Sequence, residues 1–212
     1  MDLGVGVACP GAGSATFRVV DAPTIPPTPI RTERLLLRCW EAADAPRFKR
    51  ALDASLAELQ RWIPWTRQEP SELPVLEARL DGYREDFHGG RDALYAVLDP
   101  SDGDVLGGVG LYRRVGPGGL EIGYWIRSDV AGRGYATEAA ATLASAGLAL
   151  DGIERVEIRC DPDNAASAAV PRKLGFRLVQ TVESEEPESG EPRRTMIGAL
   201  TRGEPSGAEG RS

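Results

Sequence analysis

The sequence predicts a mixed α/β sandwich around one sheet of about seven strands. Three observations carry that expectation. Leu94–Leu98, Val105–Tyr112 and Leu120–Arg127 are strand-like runs divided by Asp99-Pro100-Ser101-Asp102-Gly103 and Gly116-Pro117-Gly118-Gly119, the pattern of an antiparallel meander. An alanine-rich helix, about Ala136–Leu150, follows at once. A strand at Val156–Cys160, a short helix at Asn164–Leu174 and strands at Phe176–Val182 and Thr195–Leu200 then complete the alternation.

Residues 1–29 are rich in Gly, Ala and Pro and have no helical or strand period, so they read as a flexible arm. Residues 201–212 read the same way, which places the folded domain at 30–200. Arg34–Arg38 is the first strand, and Asp44 is placed to cap a helix with Pro46 in its first turn. A stronger helix begins after Ser71: Leu76, Leu80, Tyr83 and Phe87 share a face, and Gly89-Gly90 ends it. Leu59–Trp65 concentrates aromatic and apolar bulk, either as a wall or lid over a substrate or as a core-packing loop. In the alanine-rich helix, Ala136, Ala140, Leu143, Gly147 and Leu150 form a stripe small enough to approach a sheet closely. Glu183–Pro192 is an acidic turn before the last strand.

Composition narrows the function classes. A net charge of −7 argues against general nucleic-acid binding, which needs basic surface to neutralise phosphates. The three cysteines, Cys9, Cys39 and Cys160, are odd in number and lack a CxxC pair, as expected for reduced thiols in the cytoplasm. His88 is the one histidine; it ends a helix and reads as a capping residue, so neither a histidine metal site nor a Ser/His/Asp triad is expected. No apolar run nears the ~20 residues that span a bilayer, so no membrane partner is expected.

The chemistry concentrates at Ile122–Ala140. Gly132 and Gly134 allow backbone N–H groups to turn toward a ligand, and a helix starts immediately after them. Its free N–H groups and positive dipole end make an anion site suited to a pyrophosphate. No Gly-Lys-Ser/Thr follows, and the pattern is not GxGxxG, so neither nucleotide motif applies. A flavodoxin-like nucleotide binder is disfavoured because the turn follows an antiparallel meander.

Four segments occur in a telling order: Ile30-Arg31-Thr32-Glu33-Arg34-Leu35-Leu36-Leu37-Arg38, Glu121-Ile122-Gly123-Tyr124-Trp125-Ile126-Arg127, the glycine loop, and Asp161-Pro162-Asp163-Asn164-Ala165-Ala166-Ser167 leading to Arg172-Lys173-Leu174-Gly175-Phe176. In these the chain resembles the GNAT superfamily of N-acetyltransferases, within it the RimJ/RimL-like branch of ribosomal-protein N-terminal acetyltransferases. The resemblance covers about 30–200. It implies a single, mostly antiparallel sheet with helices on both faces and a splay between the fourth and fifth strands. It also implies acetyl-CoA as co-substrate, its pantetheine arm pairing with backbone near Ile126 and Arg127. The pyrophosphate would sit on the loop Gly132, Arg133, Gly134, Tyr135, Ala136 and Thr137. Asn164 would reach the pantetheine from across the cleft, and Lys173 or Arg172 would approach the nucleotide phosphate.

Two departures from the family pattern stand out. Ala131 replaces the usual Gln or Arg three residues before Gly134, so backbone alone must hold the phosphates there. Pro171 lies inside the short helix and leaves the Ser167 carbonyl without its helical donor, predicting a kink that displaces Ser167.

The resemblance implies a primary-amine acceptor, on a protein N-terminus or a small molecule; no cysteine sits in an evident nucleophile context, so direct attack in a ternary complex is expected. Glu121 matches an acidic position of the branch and is the expected general base, acting through water, with a salt-bridging strand residue as the other reading. Ser167 is the expected acid for the departing thiolate. Tyr124, on the opposite strand face from Glu121, is a weaker candidate. Cys160 reads as packing. A non-catalytic acyl-CoA-binding module on the same fold is the competing function, and a homodimer is an option the sequence leaves open.

Overall fold

The computed structural model describes residues 25–101, 103–185 and 192–203. Most of the expected arm, Cys9, the centre of the acidic turn (186–191) and the last residues of the chain (204–212) lie outside the described residues. Residues 25–28, assigned to the arm from sequence, are tied to the domain. The Tyr95 hydroxyl donates to the carbonyls of Pro26 and Pro27 at 3.1 and 3.3 Å, and the Cys39 N–H donates to Thr28 Oγ1 at 2.9 Å.

Eight strands form one sheet: β1 (Ile30–Arg31), β2 (Leu36–Cys39), β3 (Ala93–Leu98), β4 (Val105–Tyr112), β5 (Gly119–Ile126), β6 (Arg155–Cys160), β7 (Arg177–Glu185) and β8 (Pro192–Thr201). Their order is β1-β2-β3-β4-β5-β6-β8-β7, antiparallel except for the β5–β6 pair. The strand beyond the expected seven is β1, which pairs with Leu36–Leu37 and is too short to show an alternating pattern. Five α-helices accompany the sheet: α1 (Ala45–Asp53), α2 (Leu56–Trp62), α3 (Leu73–His88), α4 (Tyr135–Leu148) and α5 (Ala165–Lys173). Among the described residues no helix is long and apolar enough to cross a membrane.

Side-chain alternation divides the core between the two faces of the sheet. Leu37, Tyr95, Val97, Leu120, Ile122, Val156 and Ile158 join Ala139, Ala140, Leu143 and Ala144 of α4 on one face. Ala96 and Leu98 join Phe48, Leu52, Leu76 and Leu80 of α1 and α3 on the other. The alanine stripe does what its size predicts, bringing α4 onto β4, β5 and β6. Asp44 departs from expectation. It precedes α1 but makes no side-chain cap; its carboxylate takes a two-pronged bond from Arg38, at 2.7 and 2.6 Å, and accepts the Glu41 N–H. A bidentate charged pair outcompetes a single backbone cap.

One irregularity positions the site. The parallel β5–β6 ladder runs from Gly119↔Arg155 to Ile122↔Ile158 and stops. Beyond it β5 stays with β4 as far as Ile126, while β6 stays with β8 as far as Cys160. The two strands therefore part company in mid-sheet, opening the expected splay.

Candidate active site

At the mouth of the splay the chain turns through a short 3-10 segment, Ser128–Val130, into the glycine loop and α4. Gly132 and Gly134 have φ of +78° and +86°, a region side-chain-bearing residues rarely enter. Gly134 is the N-cap, and the first helical bond runs from the Glu138 N–H to its carbonyl at 3.0 Å. The N–H groups of Tyr135, Ala136 and Thr137 consequently have no helical acceptor. They border a cleft of about 1200 Å³, with Gly132 and Gly134 beside them. Ala131 lines it too and adds no hydrogen-bonding side chain there. Three free N–H groups at a dipole's positive end suit a pyrophosphate, so the residues present fit the nucleotide expected from sequence.

Across the splay, α5 supplies the second wall. Asn164 is its N-cap and accepts the Ser167 N–H on Oδ1 at 3.0 Å, which leaves the amide NH₂ as its remaining donor. Asn164, Ser167 and Lys173 all line the cleft; Arg172 does not. Pro171 falls within α5 as expected, yet Ser167 remains in the first turn, fixed by that cap. The carbonyl that Pro171 orphans is instead satisfied by the Tyr124 hydroxyl at 3.0 Å, and the same hydroxyl lies 3.2 Å from Ser167 Oγ. Burial raises the Tyr124 pKa above its ordinary value although the Ser167 bond opposes that shift, so the phenol stays protonated and can donate. Cys160, also at the cleft, is buried; burial pushes its thiol up, with a Ser167 hydrogen bond acting the other way.

Ile126 lines the cleft; Arg127 does not. The Arg127 N–H is donated to the Leu106 carbonyl at 2.8 Å, so its backbone serves β4. By strand alternation the backbone groups of Ile126 turn the other way, toward the splay. The Arg127 guanidinium is likewise engaged, with Asp129 and Asp104, both at 2.6 Å.

The cleft passes through the splay to the opposite face of the sheet. There Trp125 and Tyr112 lie flat on glycines. A Cβ on Gly108 would come 2.6 Å from Trp125 Nε1, and one on Gly123 would come 3.0 Å from the Tyr112 ring. Glycine at these positions gives the cleft an aromatic floor. Leu59, Trp62, Ile63, Pro64 and Trp65 line it, and Leu59 and Ile63 also pack into the core on that face. That wall is pinned: Gln60 donates to the Thr66 and Glu69 carbonyls, and Arg79 pairs with the buried Glu69 carboxylate.

Glu121 borders the same half of the cleft and is 6% exposed. Arg114 grips its two oxygens at 2.9 and 2.6 Å, and Arg159 stands 3.8 Å away. Arg159 also bonds Glu157, which Arg155 holds from the other side, giving an alternating charge ladder across β5 and β6. Burial works against the Glu157 charge, but the bonds from Arg155 and Arg159 outweigh it and hold the carboxyl below its usual range. The floor and the guanidinium partners of Glu121 are site components not foreseen from sequence. Gly107-Gly108 and Gly110 in mid-strand were the available signal, since glycine there marks close approach.

Comparison with known proteins accords with this geometry. A family model described as an acetyltransferase (GNAT) domain matches residues 34–177. YnaD of Bacillus subtilis (strain 168), an N-acetyltransferase by name, is 25% identical over 149 residues, covering 70% of this chain and 82% of its own. YdaF of the same organism, named as a candidate ribosomal N-acetyltransferase, is 28% identical over 150 residues, covering 68% and 78%. Among solved structures, the ribosomal L7/L12 α-N-protein acetyltransferase RimL in complex with coenzyme A aligns at TM-score 0.72 and 22% identity, over 80% of this chain and 95% of that one. The microcin C7 self-immunity acetyltransferase MccE, in complex with acetyl-CoA and AMP, aligns at 0.75 and 17%, over 84% and 99%. At those identities the structures speak for the fold, while the family model spans most of the folded domain. The chain belongs to the GNAT family of acetyltransferases.

Proposed function

We propose that this acetyltransferase moves an acetyl group from acetyl-CoA to a primary amine by direct attack in a ternary complex. The supporting observation is the one continuous cleft, which runs from the free N–H groups of α4 through the β5–β6 splay to the aromatic floor. It lets donor and acceptor approach the same point from opposite faces of the sheet, converting a bimolecular encounter into an aligned one. Acetyl-CoA supplies the activated thioester carbonyl. Tyr135, Ala136 and Thr137 N–H groups bind its pyrophosphate, with Lys173 near the nucleotide, while Ile126 and Asn164 bond the pantetheine from either wall.

The amine arrives over Trp125 and loses a proton, through water, to Glu121. After taking the Arg114 fork, each Glu121 oxygen keeps a second acceptor site for that water. The Ile126 N–H faces the oxyanion that forms as the amine adds to the carbonyl. Ser167 Oγ relays a proton to the departing thiolate, giving up its own as it takes one from water in the cleft. Tyr124, bonded to Ser167, orients it.

The acceptor class is a protein N-terminal amine, with small-molecule amines as the comparison group. The open aromatic wall suits an extended chain, and several neighbours, RimL among them, are named for such substrates. The test is thiol release from acetyl-CoA against a panel of N-terminal peptides, amino acids and polyamines, with mass spectrometry of each acceptor. Peptide acetylation at the α-amine is expected; release of thiol with polyamines alone would replace the acceptor class.

A further inference from the structure

The glycine loop is fastened from a distant part of the chain. Arg34, just before β2, donates from Nη1 to the Arg133 carbonyl at 2.8 Å. Its Nε and Nη2 reach Glu138 Oε2 at 2.7 and 2.6 Å, and its backbone N–H reaches Glu138 Oε1 at 3.0 Å. Thr32 Oγ1 completes the set on Oε1, and the Arg34 guanidinium stacks over the Tyr135 ring at 5.1 Å. Each nitrogen of this guanidinium holds one protein partner, three of its five N–H donors in all, so Arg34 has a structural target on the loop and helix.

We infer that Arg34 is a positioning residue for the acetyl donor, keeping the loop's anion site open and correctly turned. The inference rests on the acetyl-CoA reading above. Two physical effects support it. A peptide unit is planar and trans, so anchoring the Arg133 carbonyl on Arg34 turns the Gly134 N–H to the opposite side. In a loop whose two glycines can adopt many conformations, that anchor removes freedom the ligand would otherwise have to pay for. The second effect is electrostatic. Glu138 is a carboxylate in the first turn of α4, where the helix N-terminus attracts any nearby anion. Released, it would compete with a pyrophosphate for the free N–H groups and repel it. Thr32 and Arg34 draw that carboxylate sideways onto the β1–β2 turn and neutralise it.

The experiment measures acetyl-CoA affinity by calorimetry, together with steady-state constants and melting temperature, for wild type, Arg34→Ala, Arg34→Lys, Glu138→Gln and the Arg34→Ala/Glu138→Gln double variant. Wild type binding is the control on the underlying reading: without it, the donor assignment fails and the clamp is not at issue. Given wild-type binding, Arg34→Ala is expected to weaken acetyl-CoA about tenfold or more, with kcat at saturating donor and the acceptor KM little changed. The double variant should bind acetyl-CoA more tightly than Arg34→Ala, because the unpartnered carboxylate is gone. Arg34→Lys, which keeps the charge and loses the fork, should fall between. Arg34→Ala that is folded and binds acetyl-CoA within twofold of wild type overturns the inference. If Arg34→Ala does not fold, Arg34→Lys and Glu138→Gln carry the test, and wild-type affinity in both overturns it equally.

Discussion

The Tyr124 hydroxyl and the Ser167 carbonyl are joined at 3.0 Å because Pro171, four residues on, has no N–H to offer that carbonyl. A departure in α5 is thus compensated from β5, across the splay. The same phenol touches Ser167 Oγ, so a backbone repair also orients a side chain in the cleft. Tyr124→Phe is expected to cost about 1 kcal/mol of stability and to lower kcat more than it raises the acetyl-CoA KM. Adding Pro171→Ala restores a helical donor to the Ser167 carbonyl. The double variant should regain stability while kcat stays low, since Ser167 Oγ still lacks its partner. Full recovery of both would show that Tyr124 serves the helix alone.

Glu121 occupies two roles, partner of Arg114 and base, and two substitutions separate them. Glu121→Gln keeps the shape, weakens the ion pair and removes the proton acceptor; kcat/KM should fall about 100-fold at every pH where the protein is folded. Arg114→Met removes the partner and keeps the carboxylate, so it should lower the melting temperature yet retain most of kcat. Equal activity losses in the two variants would make the pair structural.

How much of this could be seen in the sequence depends on where each constraint is written. The glycine loop was legible because a positive φ shows directly in residue type at 132 and 134, and a helix start follows. Pro171 was legible because a lost donor is local, whereas Asn164 stood out through the family motif and its capping of α5 was not foreseen. Arg127 was misplaced because whether a strand residue's N–H faces β4 or the splay depends on ladder register, which alternation of side chains does not reveal. The Arg34–Glu138 bond spans 104 positions and the aromatic floor depends on Gly108 lying opposite Trp125, so neither leaves a local pattern.

The floor itself gives a selective test. Gly108→Ala places a methyl where Trp125 Nε1 would be 2.6 Å away, so the indole must shift, while the adjoining sheet backbone is spared. The acceptor KM should rise several-fold with the acetyl-CoA KM unchanged. Gly107→Ala is the contrast, because its Cβ would meet the Trp125 carbonyl at 2.1 Å and the β4–β5 ladder must break. That variant should lose stability and both substrates together. A Gly108→Ala enzyme with altered donor KM alone would place Trp125 outside the acceptor path.

The charge ladder below the floor predicts a particular response to acid. Burial disfavours the Glu157 anion, yet Arg155 and Arg159 together hold its carboxyl below the ordinary range. A group whose pKa is depressed in the folded state binds its proton more readily when unfolded, so falling pH favours the unfolded chain. The contribution is complete above the unfolded value of about 4.3 and is lost as pH falls from there through the folded value. Glu157→Gln cannot supply it at any pH. The melting temperatures of wild type and Glu157→Gln should therefore differ by a constant amount from neutrality down to about pH 5 and converge as pH falls from the unfolded value of about 4.3 through the lower folded one. Because Arg159 is shared, protonating Glu157 also frees that guanidinium to move fully onto Glu121. Acid-limb kinetics should consequently differ between wild type and Glu157→Gln over the same range, and a gap in melting temperature that stays constant throughout the acid limb would show that the ladder does not hold Glu157 as its bonds suggest.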